Sequence, residues 1–168
     1  MKTEATQTEG KALMITRVFD APRELVWKAW TDPELVKKWW GPKIFSAPYV
    51  SIDFRVGGKY LYCMQSTEGE DVWKKGIWST GVYKEIVSME KIVCTDSFAD
   101  EHGNVVSGSH YGMDGLPMEF LVTMKFEDAG DGKTKMTLVH EGMPEFMSKD
   151  AKAGWNESFD KLAEVVKR

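Results

Sequence analysis

The chain has 168 residues, 42% hydrophobic and 29% charged, with 26 acidic against 22 basic side chains and a formal net charge of −4. That length and balance describe a folded chain with a substantial core rather than a disordered one. The acidic balance argues against nucleic acid or an anionic membrane surface as the main partner, and apolar runs of only a few residues are far too short for membrane insertion.

The first ten residues, Met1 to Gly10, are polar and hold no apolar segment of a signal peptide. They are read as a flexible lead-in, followed by a single domain over 11–168. From Leu13 to Phe19 apolar and polar positions alternate, which predicts a strand with Leu13, Ile15 and Phe19 on one face. Asp20 suits a helix N-cap and Pro22 a first turn; Val26, Ala29 and Trp30 then fall at helical spacing. Thr31 and Glu34 have the spacing of a capping box, Pro33 opens a second short helix, and Gly41-Pro42 stops it after Trp39.

From Pro48 to His140 the pattern is mostly strand. Val50, Ile52 and Phe54 share a face, Gly57-Gly58 makes a tight turn, and Tyr60, Tyr62 and Met64 alternate with Lys59, Leu61 and Cys63. A further strand is expected to start near Trp73, bent at Gly76 and Gly81. Ile92, Cys94 and Phe98 mark the next. The Gly- and Ser-rich stretch Asp100–Pro117 reads as a long loop, a lid or rim for a pocket. Met118, Phe120, Val122, Met124 and Phe126 form the cleanest alternation, and Asp128-Ala129-Gly130-Asp131-Gly132 turns the chain back through Met136, Leu138 and His140. From about Ser148 to Lys167 a helix is predicted, with Trp155, Phe159, Leu162 and Val166 in one apolar stripe and Gly154 marking a close approach. The order is one strand, two short helices, six strands and a long helix: an α+β chain whose hairpin links make the sheet antiparallel.

Seven Trp and ten Met are many for this length; such side chains fill irregular apolar volumes or line a cavity. Cys63 and Cys94 both sit in strand-like segments, and without a secretion signal a reduced, cytoplasmic protein is expected. His102, His110 and His140 show no metal-ligand spacing. Ser107-Gly108-Ser109-His110 is a loop neighbourhood, not a triad, and there is no G-x-S-x-G, G-x-G-x-x-G or phosphate loop. Neither metal nor cofactor is expected.

Six segments now form a pattern: Ile15-Thr16-Arg17-Val18-Phe19-Asp20-Ala21-Pro22-Arg23-Glu24-Leu25-Val26-Trp27; Thr31-Asp32-Pro33 with Trp39-Trp40-Gly41-Pro42; Asp53-Phe54-Arg55-Val56-Gly57-Gly58-Lys59; Gly81-Val82-Tyr83-Lys84-Glu85-Ile86; His140-Glu141-Gly142-Met143-Pro144; and Gly154-Trp155. Together they resemble the family named for the activator of heat-shock-protein-90 ATPase, in its bacterial stand-alone form. That family lies within the SRPBCC or START-like superfamily with the Bet v 1-type helix-grip fold. The resemblance implies a seven-stranded curved antiparallel sheet gripping the C-terminal helix, with a cavity between them for a small apolar or aromatic molecule. The co-chaperone namesakes carry an additional N-terminal domain, so a chaperone partner is an analogy only.

The candidate cavity residues are Trp39, Tyr60, Tyr62, Met64, Trp78, Phe98, Phe120, Met124, His140, Trp155 and Phe159. Tyr60, Tyr62, Trp78, Phe120, Met124 and Trp155 would form the walls. His140 or a Tyr hydroxyl would orient a ligand. His140 is the weak candidate for a catalytic acid or base; a histidine satisfied by a structural partner is the favoured reading, since no partner is readable beside it. Arg17 shares the face of Ile15 and Phe19 and is expected to pair with Asp53 or Glu24. Non-catalytic binding of a small hydrophobic ligand is the leading function, with a cyclase-, aromatase- or hydrolase-like enzyme as the alternative. A third reading is a protein-interaction module with an exposed apolar patch at Trp39, Trp40 and Phe45. Dimerisation is left open.

Overall fold

Alternation in the first strand buries Leu13, Ile15 and Phe19 and leaves Met14, Thr16 and Val18 exposed, so one face of the sheet is set at once. The computed structural model describes residues 12–167; the expected lead-in, 1–10, lies outside them. The strands are β1 (Ala12–Phe19), β2 (Phe45–Ile52), β3 (Lys59–Ser66), β4 (Ile77–Val87), β5 (Lys91–Ala99), β6 (Phe120–Gly130) and β7 (Lys133–Glu141). The helices are α1 (Arg23–Thr31), α2 (Pro33–Val36), α3 (Asp71–Lys75) and α4 (Glu145–Val166), with a single 3₁₀ turn at Gly108–Tyr111.

All strands form one seven-stranded antiparallel sheet in the order β1-β7-β6-β5-β4-β3-β2. The first strand thus lies beside the last, and the two short helices span to the opposite edge. Helix α4 buries Phe159, Leu162 and Val166 in the core beside Met136 and Leu138. Full burial of a side chain such as Phe159 contributes roughly 1.5–3 kcal/mol. Phe126, Trp27 and Phe54 close the other end of the core edge to face, at 5.4 Å and 5.7 Å.

Several local expectations are corrected. Asp71–Lys75 is helical, so the fourth strand starts at Ile77, after Gly76 turns the chain at φ +108°. Its bulge lies between Tyr83 and Glu85, not at Gly81. Helix α2 is capped by Asp32, whose side chain accepts from Glu34 N–H, rather than by Thr31. Helix α4 begins three residues early, at Glu145 after Pro144. Arg17 does not reach Asp53 or Glu24; its guanidinium meets Asp160 at 2.9 Å and the Asn156 carbonyl at 3.3 Å, tying β1 to α4. Asp53 pairs with Arg55 instead, two residues along the same turn.

The long loop is not an independent lid. Asp100 accepts from the N–H groups of His102 and Asn104 and from the Asn104 side chain, and Ala99 bridges to Val105. The Tyr111 hydroxyl donates to Ala99 O and accepts from Trp78 N–H. These bonds fasten the loop to β4 and β5.

Candidate functional site

The inner face of the sheet collects aromatic side chains because two neighbouring strands turn tyrosines the same way. Tyr60 and Tyr62 come from β3, and Tyr83 from β4. The rings of Tyr60 and Tyr62 stack at 4.5 Å and 29°, a spacing that the two-residue period of a strand makes natural. Gly81 on β4 lies beneath Tyr60: a Cβ there would fall 1.9 Å from Thr95 O and 2.5 Å from the phenol ring. Opposite this floor stand Trp30 from α1, Trp155 from α4 and Trp40 from the segment between α2 and β2. Trp40 packs on Tyr62 at 4.5 Å and meets Trp155 edge to face at 5.6 Å.

Between floor and roof lies a cavity of about 20 Å³, lined also by Ile92, Cys94, Asp96, Val122 and Met124. That is room for about one water molecule. A second, open space of about 130 Å³ lies outside it, between α4 and the Trp40-Gly41-Pro42 segment, with Met64, Gly154 and Ser158 on its walls. Trp40 and Trp155 line both, so these two rings form the partition. The backbone behind Trp40 is held firmly. Lys161 Nζ donates to Pro42 O at 3.1 Å and Phe45 O at 2.9 Å, and Glu157 accepts from Lys43 N–H at 2.9 Å.

Asp96 is the one formally charged side chain on the cavity wall. Burial pushes its carboxyl up to about 6, against the pull of the Tyr60 hydroxyl, which favours the charged form. That hydroxyl lies 2.9 Å from Asp96 Oδ1 and 2.9 Å from Thr95 O, so one proton serves two acceptors. When Asp96 is protonated it can donate to Tyr60 while Tyr60 donates to Thr95. Burial also holds the Tyr60, Tyr62 and Tyr83 phenols and the Cys94 thiol well above their ordinary values, so all four are neutral at pH 7.

His140 lies apart from this wall. Its Nδ1 accepts from Trp155 Nε1–H at 3.0 Å, and Phe120 stands edge to face with it at 4.8 Å. The proton of the neutral ring is therefore on Nε2, which is buried and has no hydrogen-bond partner among the described residues. Burial lowers the imidazole to about 4. A neutral ring held by an indole is poorly placed to exchange protons with a ligand.

Of the residues selected from sequence, Tyr60, Tyr62, Met124 and Trp155 surround the cavity, and Met64 lines the outer space. Trp39 and Phe159 are fully buried core residues, with the Trp39 indole donating to Ala29 O at 2.9 Å. Trp39 therefore cannot present the expected partner patch, and Phe45 packs on Trp73. Phe120 packs on His140, and Phe98 on Tyr111 of the long loop. Trp78 is on the other face, paired with Cys63 and packed against the exposed Tyr49 at 5.4 Å. Sequence reasoning missed Trp30, Tyr83 and Asp96, the smaller wall residues Ile92, Cys94 and Val122, and Trp40, which it assigned to the partner patch. The signal for Asp96 is an acidic residue in phase with the apolar positions Ile92, Cys94 and Phe98. Among the described residues no group of three or more His, Cys, Asp or Glu side chains is placed to hold a metal ion.

A curved antiparallel sheet closed over a long terminal helix, with a cavity between them, defines the helix-grip class of domain. Within it, the pattern of the family described as Activator of Hsp90 ATPase homolog 1-like protein matches residues 20–167, and the chain belongs to that family. A crystal structure of a Chromobacterium violaceum protein is 28% identical, with a TM-score of 0.75 over 94% of this chain and 98% of that one. A solution structure from Arthrobacter aurescens is 27% identical, with a TM-score of 0.76 over 95% of this chain and 87% of that one. The AHSA1 protein of Silicibacter pomeroyi, at 20% identity and a TM-score of 0.69 over 91% and 95% of the two chains, shares the fold. No curated protein matches the chain.

Proposed function

We propose that this protein binds a small apolar or aromatic molecule between the sheet and the C-terminal helix, without changing it chemically. The observation that carries the reading is the Trp40–Trp155 partition: two rings separate an aromatic cavity from an open apolar space large enough for a ligand. Movement of the Trp40 ring joins the two, and the combined volume approaches the roughly 150 Å³ that accommodates benzene. The free thiols of Cys63 and Cys94 fit a cytoplasmic setting.

Native mass spectrometry of freshly purified protein, with extraction of anything retained, is the first test, followed by titration with indole. A retained small molecule at one per chain, or indole shifting the amide resonances of Trp155 and Tyr62, is the expected result. No retained molecule together with no response to indole or other small aromatics would count against the reading. Trp78→Ala, on the opposite face, is expected to leave indole affinity unchanged.

One observation favours a second reading. Asp96 titrates near neutrality and touches the Tyr60 hydroxyl, a pairing suited to general acid–base chemistry on a bound molecule. Turnover of an extracted ligand, lost in Asp96→Asn while binding persists, would replace passive binding with catalysis.

A further inference from the structure

We propose that the occupant of this site is an organic cation, an apolar or aromatic group bearing a quaternary or protonated amine, with its positive centre among the cavity rings and against Asp96. The inference rests on the binding function above and narrows its ligand class.

Three observations converge. First, the cavity is a box of rings in several orientations. Tyr60 and Tyr62 are stacked, Trp40 is inclined 58° to Tyr62, and Trp155 stands at 87° to Trp40. Ring faces carry negative potential, and enclosure by several of them is how proteins hold alkylated ammonium groups. Second, the only formal charge on the wall is negative. Among the described residues no basic side chain forms a salt bridge with Asp96. Lys161, on the neighbouring helix, is committed to the carbonyls of Pro42 and Phe45. Third, no charged side chain is among those lining the outer space, and the cation nearest to it, the Lys161 ammonium behind Pro42, is taken up by two carbonyls.

A buried carboxylate is unfavourable until a countercharge reaches it. Among the described residues no basic side chain supplies that countercharge, and burial makes the carboxyl correspondingly easy to protonate. A neutral ligand would leave this deficit in place, and an anion would deepen it. A cation would remove it while covering the rings. Entry passes the Trp40–Trp155 partition, and the backbone behind Trp40 is held by Lys161 and Glu157.

The test compares two probes of the same shape, choline and 3,3-dimethylbutan-1-ol, which differ only in nitrogen against carbon at the branched centre. Both are titrated into the full chain and followed by the resonances of Trp155 and Tyr62. Choline is expected to bind at least tenfold tighter than the alcohol, and Asp96→Asn to bring the two within twofold. Equal or tighter binding of the alcohol to the unmodified protein overturns the cation proposal and leaves the binding function standing. If neither probe perturbs the cavity, the cation proposal falls, while the indole titration decides the binding function. The comparison in the unmodified chain decides even if Asp96→Asn does not fold.

Discussion

Trp155 donates its indole N–H to Nδ1 of His140 at 3.0 Å, and because an indole can only donate, this single bond fixes the tautomer of the most deeply buried histidine. The ring is neutral in the fold, with its value lowered by burial to about 4. In the unfolded chain it titrates near 6.5. A lowered folded value contributes stability that is present above pH 6.5 and lost as pH falls through 4, on the order of 3 kcal/mol. His140→Gln removes this contribution and leaves the opposite one of Asp96 unbalanced, so the variant should gain stability relative to the unmodified protein as pH falls towards 4. Urea denaturation at pH 7, 6, 5 and 4 would measure it, and an unchanged slope in the variant would show that His140 makes no such contribution.

Asp96 works in the same window with the opposite sign. Its folded value is raised to about 6, so its contribution is fully present below the unfolded value near 3.9 and lost as pH rises through 6. The two groups offset each other, and the unmodified protein should show a shallow profile between pH 4 and 6. Asp96→Asn is expected to gain about 1–3 kcal/mol at pH 7, a gain that fades towards pH 4. A constant difference across that range would mean that Asp96 is not titrating.

Lys161→Met removes the clamp behind Trp40. Loss of bonds from a charged donor to the Pro42 and Phe45 carbonyls costs about 1.5–3 kcal/mol. The loss should be local: amide exchange accelerates over 41–46 and stays slow in β5 and β6. Uniform acceleration over the whole sheet would contradict a local clamp.

Gly154→Ala should stabilise the helix by about 0.5–1 kcal/mol. The new Cβ would lie 3.5 Å from Pro42 Cγ, an ordinary contact. The same methyl group narrows the outer space, so indole should bind more weakly although the protein melts higher. A rise in melting temperature with unchanged affinity would place the ligand route elsewhere.

How far the sequence carried the reading is clear at particular residues. Periodicity found every strand and both ends of the core helix stripe, because alternation and helical spacing are local. Faces were harder. Taking the fourth strand back to Trp73 misses the short helix, and placing Trp78 in the wall overlooks that its neighbour across the sheet is Cys63, which alternates with Tyr62 and so lies on the opposite face. Pairing register, which decides such a case, is not local. Trp39 and Trp40 lie beyond the last helical residue, Val36, where spacing stops predicting orientation. One became core and the other the partition. Asp96 was visible in the alternation but passed over, since hydrophobic phase draws attention to the apolar positions around a polar one.

Helix α4 follows all seven strands in chain order. While the protein is being synthesised, the ribosome therefore delivers a complete sheet before it delivers the cover for its inner face. Until Glu145–Val166 emerges and docks, Tyr60, Tyr62, Met124 and Leu138 have no helix over them, and the nascent chain carries an apolar surface of the kind that chaperones and aggregation compete for.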